Sequence, residues 1–223
     1  MLKITETEVF GWKAAIRGMR NAHESWDKSD SCIENAAVCF ICPELKNCPG
    51  KEWKTLGTKI GPNDFTLMKK LVAAGTDHSK FMRMIHVQCD WEAPLYWWKE
   101  ADTYKVGTVR NSCSTMHKIT AHEFDMDMFS HEHLFDFCPS EHHNSTDIPE
   151  ITIEPLNAMR KVLNSFDQDD PLRKEYWWQL IQLLPSNYNQ KATMDLNYQV
   201  LRNMYQSRKH HKQDEWKVDF CDW

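Results

Sequence analysis

"EAPLYWWKEADTYKVGTVRNSCSTM", Glu92 to Met116, joins two unlike kinds of sequence. Pro94 suits a first helical position, so its placement predicts a helix over "PLYWWKEADTYK", 94–105. The stretch from Asp102 to Lys118 then sets Lys105, Arg110 and Lys118 among small hydroxyl, thiol and amide side chains. Such a run is too polar for core and too compact for an ordinary solvated helix. Two roles are open. Lys105, Thr108, Arg110, Asn111, Ser112 and Ser114 line a pocket for a phosphate or flavin fragment, or they form a polar interface or capped loop with no ligand. Unpaired cations between packed helices are costly, which favours the ligand.

Working outward, the chain has 223 residues, 41% hydrophobic, with net charge -5. That suits one domain, 1–223, and argues against general nucleic-acid binding while leaving room for a local basic site. No apolar run approaches the roughly 18 residues of a membrane span, and "MLKITETEVF" lacks a signal-peptide core; a cytoplasmic protein is expected. Seven glycines and the lack of G-x-G-x-x-G or G-x-x-x-x-G-K-[ST] exclude the usual nucleotide loops.

Periodicity supplies the other elements. Residues 2–10 read as a strand, and "RMIHVQCDW" alternates, with Ile85, Val87, Cys89 and Trp91 on one side. Helices are predicted at 62–75, with Phe65, Met68, Leu71 and Val72 on one face and Gly75 at the stop, at 155–166 and at 175–185. A long helix is predicted from about Thr193 to Lys209, and a short one at "KQDEWKVDFCDW". The fold class is α/β (α+β), helix-rich with a small central sheet.

Two segments stand apart. Cys32, Cys39, Cys42 and Cys48 mark a Cys-rich insertion near 30–60; only Cys39 and Cys42 are spaced as a zinc pair, so free thiols are expected and no metal. The acidic, His-rich segment near 122–150 reads as a surface excursion, and His131/His133 and His142/His143 lack a third fixed ligand. Trp97-Trp98 and Trp177-Trp178 are expected in packing, because neighbours on a helix point to different faces.

The order of these pieces resembles the flavin-dependent (alternative) thymidylate synthases. That family has a strand, then A-P-[IL]-[FY] opening a helix, then R-H-R-x-x-S-x-N-E-x-S-x-R. Ala93 and Pro94 match, Leu95 and Tyr96 are similar, and Thr108-Val109 stands where Ser-Val is common. A second block, "LLPSNYNQKATMDLNYQVLRNMYQSR", places Pro185, Asn197, Asn203 and Arg208 at the family's spacings. "DHSKF" from Asp77 and "HKQDEW" from His211 resemble two further elements. The resemblance covers residues 65–120 and 175–217.

It implies a homotetramer with sites built from several chains, binding FAD, a pyrimidine nucleotide such as dUMP, and folate, and methylating uracil with reduced flavin. By position it implies flavin contacts at His78, Asn197 and Asn203, a nucleotide contact at Arg208, and Lys105 in place of the second arginine of R-H-R. Thr103 and Tyr104 replace the preceding Arg and His, Arg110-Asn111 replaces Asn-Glu, Cys113 replaces a serine, and Thr115 and Ile181 replace arginines. Losing two phosphate donors costs on the order of several kcal/mol unless substituted. Arg110 and Lys105 are the available substitutes, helped by the hydroxyls of Ser112, Ser114 and Thr115. The family chemistry needs no protein nucleophile, so no catalytic residue is assigned, Cys113 included.

Three functions follow. The first is a flavin-dependent methyl transfer to a pyrimidine nucleotide. The second is a nucleotide- or flavin-binding module without turnover. The third is an interaction protein that meets a macromolecular partner through its two insertions.

Overall fold

The computed structural model describes residues 1–32, 59–134 and 148–223; Cys39, Cys42, Cys48, Cys138, His142 and His143 lie outside the described residues. In chain order the elements are β1 (Lys3–Phe10), α1 (Trp12–Asn21), α2 (Pro62–Ala73), β2 (His86–Pro94), α3 (Leu95–Ala101), β3 (Thr108–Ser112), α4 (Ile148–Ser165), α5 (Pro171–Leu183), β4 (Asn189–Asn197), α6 (Tyr198–Arg208) and a π-helix (Glu215–Phe220). The four strands form one antiparallel sheet ordered β1-β2-β4-β3. The fold is a helix-rich α/β arrangement on a small sheet. No helix of the described residues is long and apolar enough to cross a membrane.

β2 follows the predicted alternation: Val87, Cys89, Trp91 and Ala93 are buried. Helix α2 begins at Pro62 as a first-turn proline should, and Gly75 follows its end at φ 110°, a left-handed conformation that glycine adopts cheaply. Its face is narrower than predicted: Met68 is buried, but Phe65 is exposed and carries Lys69 over its ring.

Two predicted helices are corrected. The helix expected to run from Thr193 starts only at Tyr198, because Asn189–Asn197 is the inner strand β4. Ala192, Met194 and Leu196 face the core while Lys191, Thr193 and Asp195 alternate with them; this is the period of a strand, not a helix. Asn197 marks the change, its side-chain oxygen accepting from the Val200 N–H as an N-cap. The helix expected over 94–105 ends at Ala101, and the chain then turns through Gly107 into β3. The acidic excursion is also partly core: Phe124 and Phe129 are buried with Ile119, Leu156 and Leu180.

The main core lies on one face of the sheet, under α3, α6 and the π-helix. Its centre is aromatic: Trp97 stacks on Trp216 at 4.4 Å, and Trp91 meets Trp97 edge-on at 5.4 Å. Trp97 and Trp98 are both buried, whereas Trp178 is 41% exposed and packs on Trp177.

A buried ion pair ties α1 to α2 and to the residues 29–31 that follow α1. Arg20 Nε donates to Asp64 Oδ1 at 2.6 Å, and the Ser29 and Ser31 hydroxyls donate to Asp64 Oδ2. Burial pushes the Asp64 carboxyl up, but hydrogen bonds from Ser31, Ser29 and Arg20 outweigh it and hold the group below its ordinary 3.8. A depressed pKa gives stability that is complete above the unfolded value and lost as the pH falls through the folded one. Asp64→Asn leaves the Arg20 guanidinium buried without its counter-charge, at a cost of about 3–5 kcal/mol near neutral pH. Urea unfolding at neutral pH is expected to show that gap between wild type and variant, and the gap is expected to narrow below pH 3.8. A gap that does not change with pH would contradict this account.

Candidate functional site

The two sequence blocks meet. β3 pairs with β4, Thr108 opposite Leu196 and Arg110 opposite Met194. Arg208 Nε donates to the Tyr104 hydroxyl at 3.0 Å. Gly107, at φ 76°, lies so close to Asn197 that a Cβ there would sit 2.6 Å from Asn197 Nδ2. The seam between 104–112 and 194–208 is therefore a close-packed contact.

Strand alternation divides the polar run of β3. Residues paired across a ladder share a face, so Thr108, Arg110 and Ser112 lie with the buried Leu196, Met194 and Ala192. Val109 and Asn111 lie with Asp195 and Thr193 on the open face. Lys105 is exposed in the turn before β3, and Ser114 is exposed after it, its hydroxyl accepting from the His117 N–H. The Thr108 hydroxyl is buried without a partner among the described residues.

Both arginines are held by carboxylates of the same chain. Arg110 Nη1 spans both oxygens of Asp102 at 2.8 Å, Nη2 donates to Gln190, and the guanidinium lies over Trp98 at 3.7 Å from the ring centre. Arg208 Nη1 donates to Glu100 Oε2 at 2.7 Å, and its guanidinium packs against Trp216 and Tyr104. His211 Nε2 approaches the same Glu100 oxygen at 3.2 Å. Glu100 and Asp102 sit at the C-terminal end of α3, where the helix dipole disfavours negative charge. The arginines offset that penalty, so each cation and carboxylate supports the other. Sequence reasoning assigned no role to Glu100, Asp102 or His211: the helix predicted over 94–105 placed both acids inside it, and only its end at Ala101 sets them at a helix terminus.

The residues implied as flavin contacts are spread out. Asn197 caps α6 and its amide reaches toward the Gly107 carbonyl at 3.5 Å. Asn203, one helical turn beyond Gln199, accepts from Gln199 Nε2, and Gln199 in turn accepts from Ser79. His78 is exposed in the turn before the short helix Lys80–Met84.

A cavity of about 390 Å³ opens beyond the end of β3, lined by Glu92, Cys113, Asp125, Asp127, Tyr188 and Lys191 among others. Lys191 is paired with Asp90 at 2.9 Å, and burial pushes the Tyr188 phenol up. No group of three His, Cys, Asp or Glu side chains suited to a metal occurs among the described residues.

No protein-family model and no curated protein matches the sequence. Solved structures do match. Thymidylate synthase X (ThyX) from Helicobacter pylori with FAD and dUMP superposes with TM-score 0.62 at 10% identity, over 99% of this chain and 90% of that one. A second structure of the Helicobacter pylori enzyme complexed with FAD and dUMP gives TM-score 0.60 at 12% identity, with the same coverage. The chain has the fold of the flavin-dependent thymidylate synthases.

Exposure separates the thiols. Cys113 is exposed at the cavity, whereas burial pushes the Cys89 thiol up to about 12. A thiol reagent is expected to label Cys113 in the folded protein and Cys89 only after unfolding, with rates at least about a hundredfold apart. Peptide mapping by mass spectrometry reads this; equal native labelling would contradict it.

Proposed function

We propose that this chain is a ligand-binding member of the flavin-dependent thymidylate synthase scaffold, taking a pyrimidine nucleotide, a flavin or both beside the packed seam that joins β3 to β4 and α6. The observation that carries this reading is the meeting of the two blocks, with β3 against β4 and Arg208 against Tyr104, within a chain that follows the ThyX fold along 99% of its length. Lys105, Arg110 and Arg208 supply the cations. Thr108, Asn111, Ser112 and Ser114 supply neutral donors and acceptors.

The residues fit a phosphoryl group: the Arg208 guanidinium rests against the Tyr104 and Trp216 rings and already holds one oxyanion, and the Thr108 hydroxyl has no partner among the described residues. For a flavin, His78, Asn197 and Asn203 would provide polar contacts; when bound, the flavin supplies hydride. Asn111 lies on the opposite sheet face from Arg110, so a complete site draws on a neighbouring copy, and a homo-oligomer, the tetramer that the resemblance implies, belongs to this reading. Folate is the co-substrate if methyl transfer takes place, and the compartment is the cytoplasm.

A second reading is a scaffold without turnover, serving as a nucleotide-binding or protein-binding module. It is favoured by Asp102 and Glu100, which neutralise both arginines within the chain.

Absorbance and thermal stability discriminate. A ligand at 100 times its dissociation constant stabilises by about 2.7 kcal/mol. Under the first reading the protein is expected to melt higher with FAD or dUMP, and Arg208→Ala is expected to weaken dUMP about tenfold or more. Release of tritium from the uracil ring of labelled dUMP, with FAD and a folate methylene donor supplied, marks turnover. A colourless protein indifferent to FAD and dUMP contradicts the first reading.

A further inference from the structure

We infer that Glu100 is an internal occupant of an oxyanion site formed by Arg208, His211 and Tyr104, and that this site takes a phosphate or phosphomonoester when the carboxylate swings out. The inference deepens the nucleotide reading above by naming what competes for its phosphate-binding group.

Three features converge on one point. Arg208 Nη1 and His211 Nε2 both address Glu100 Oε2, at 2.7 and 3.2 Å. Two nitrogens from different elements, the end of α6 and the segment after it, thus lie close to a single oxygen, and Arg208 hydrogen-bonds it. The guanidinium is braced on one side, where the Tyr104 and Trp216 rings meet it with centres at 5.5 and 4.7 Å, and its Nε donates to the Tyr104 hydroxyl. The cationic side is therefore pre-organised, which lowers the entropy lost when an anion binds.

The anionic side is not fixed to the same degree. The Glu100 side chain is 37% exposed, against 16% for Arg208. Its position near the C-terminus of α3 opposes the helix dipole, so moving its charge away relieves one unfavourable contact as it breaks the ion pair. The pair is part-buried, and a phosphate offers a second charge and more acceptor oxygens to the same donors. The sequence around the site, "SRKHHK" at 207–212, adds Lys209 and Lys212 to the local positive charge. Asp102 is not equivalent: it grips Arg110 through both oxygens, and Arg110 is further held by Gln190 and the Trp98 ring.

The test titrates inorganic phosphate, at constant ionic strength, into the wild type, Glu100→Gln and Glu100→Gln/Arg208→Ala, with heat release and melting temperature as readouts. Glu100→Gln is expected to bind phosphate on the order of tenfold more tightly than the wild type, and the added Arg208→Ala to cancel the gain. Equal phosphate affinity in the wild type and Glu100→Gln, with both folded by circular dichroism, overturns the inference. Should Glu100→Gln fail to fold, Glu100→Asp carries the test: it keeps the charge but shortens the reach, and is expected to give a smaller gain of the same sign, while no gain overturns the inference. FAD and dUMP run on the same variants keep the two ideas apart. Tighter phosphate with no response to FAD or dUMP upholds the internal occupant and removes the nucleotide reading. Stabilisation by FAD or dUMP with unchanged phosphate affinity does the reverse.

Discussion

The antiparallel ladder between β2 and β4 organises the molecule. It pairs His86 with Asn197 at one end and Pro94 with Asn189 at the other, without a break in register. Everything between residues 95 and 188 is a loop closed by that ladder. Closing so long a loop costs entropy that no local propensity repays. The return comes from burial: Val87, Cys89, Trp91 and Ala93 lie beside Ala192, Met194 and Leu196, all almost inaccessible to water. Slipping this register by one residue would turn that apolar set to the open face and bring Asp90, Asp195 and Lys191 inward.

From that ladder the site follows by short connections. α3 leaves β2 directly at Pro94, and α6 leaves β4 directly at Asn197, so both helices start from neighbouring strands on one side of the sheet. Their ends carry the charges: Glu100 and Asp102 on one, Arg208 on the other, with β3 delivering Arg110 from the edge. The aromatic cluster of Trp97, Trp98 and Trp216 fills the space between and gives both guanidinia a flat surface to rest on. The ion pairs and the core packing thus share the same residues, and a change to either arginine touches the packing of a tryptophan.

Legibility varied with burial and length. β2 was readable because one face is wholly apolar, so its alternation is unbroken. β4 carries the same signal in Ala192, Met194 and Leu196, yet the predicted helix was extended backward over it. The helical pattern of α6 and the strand pattern of β4 abut at a single residue, Asn197, whose capping role leaves no gap to mark the boundary. β3 was not readable: an edge strand of five residues, "TVRNS", has one buried neighbour and needs no apolar alternation. Reading it as a loop gathered Arg110, Asn111 and Ser112 onto one side, whereas a strand alternates them.

The sequence by itself determined the helix-rich class, the core strand β2, the aromatic packing of Trp97 and Trp98, and the two blocks that carry the resemblance, because each rests on local periodicity or on spacing along the chain. Only the tertiary structure decided that Arg110 and Arg208 are held by Asp102 and Glu100. Such pairings depend on which strand edge and which helix end come within about 3 Å of each other, and a linear spacing holds no record of that distance.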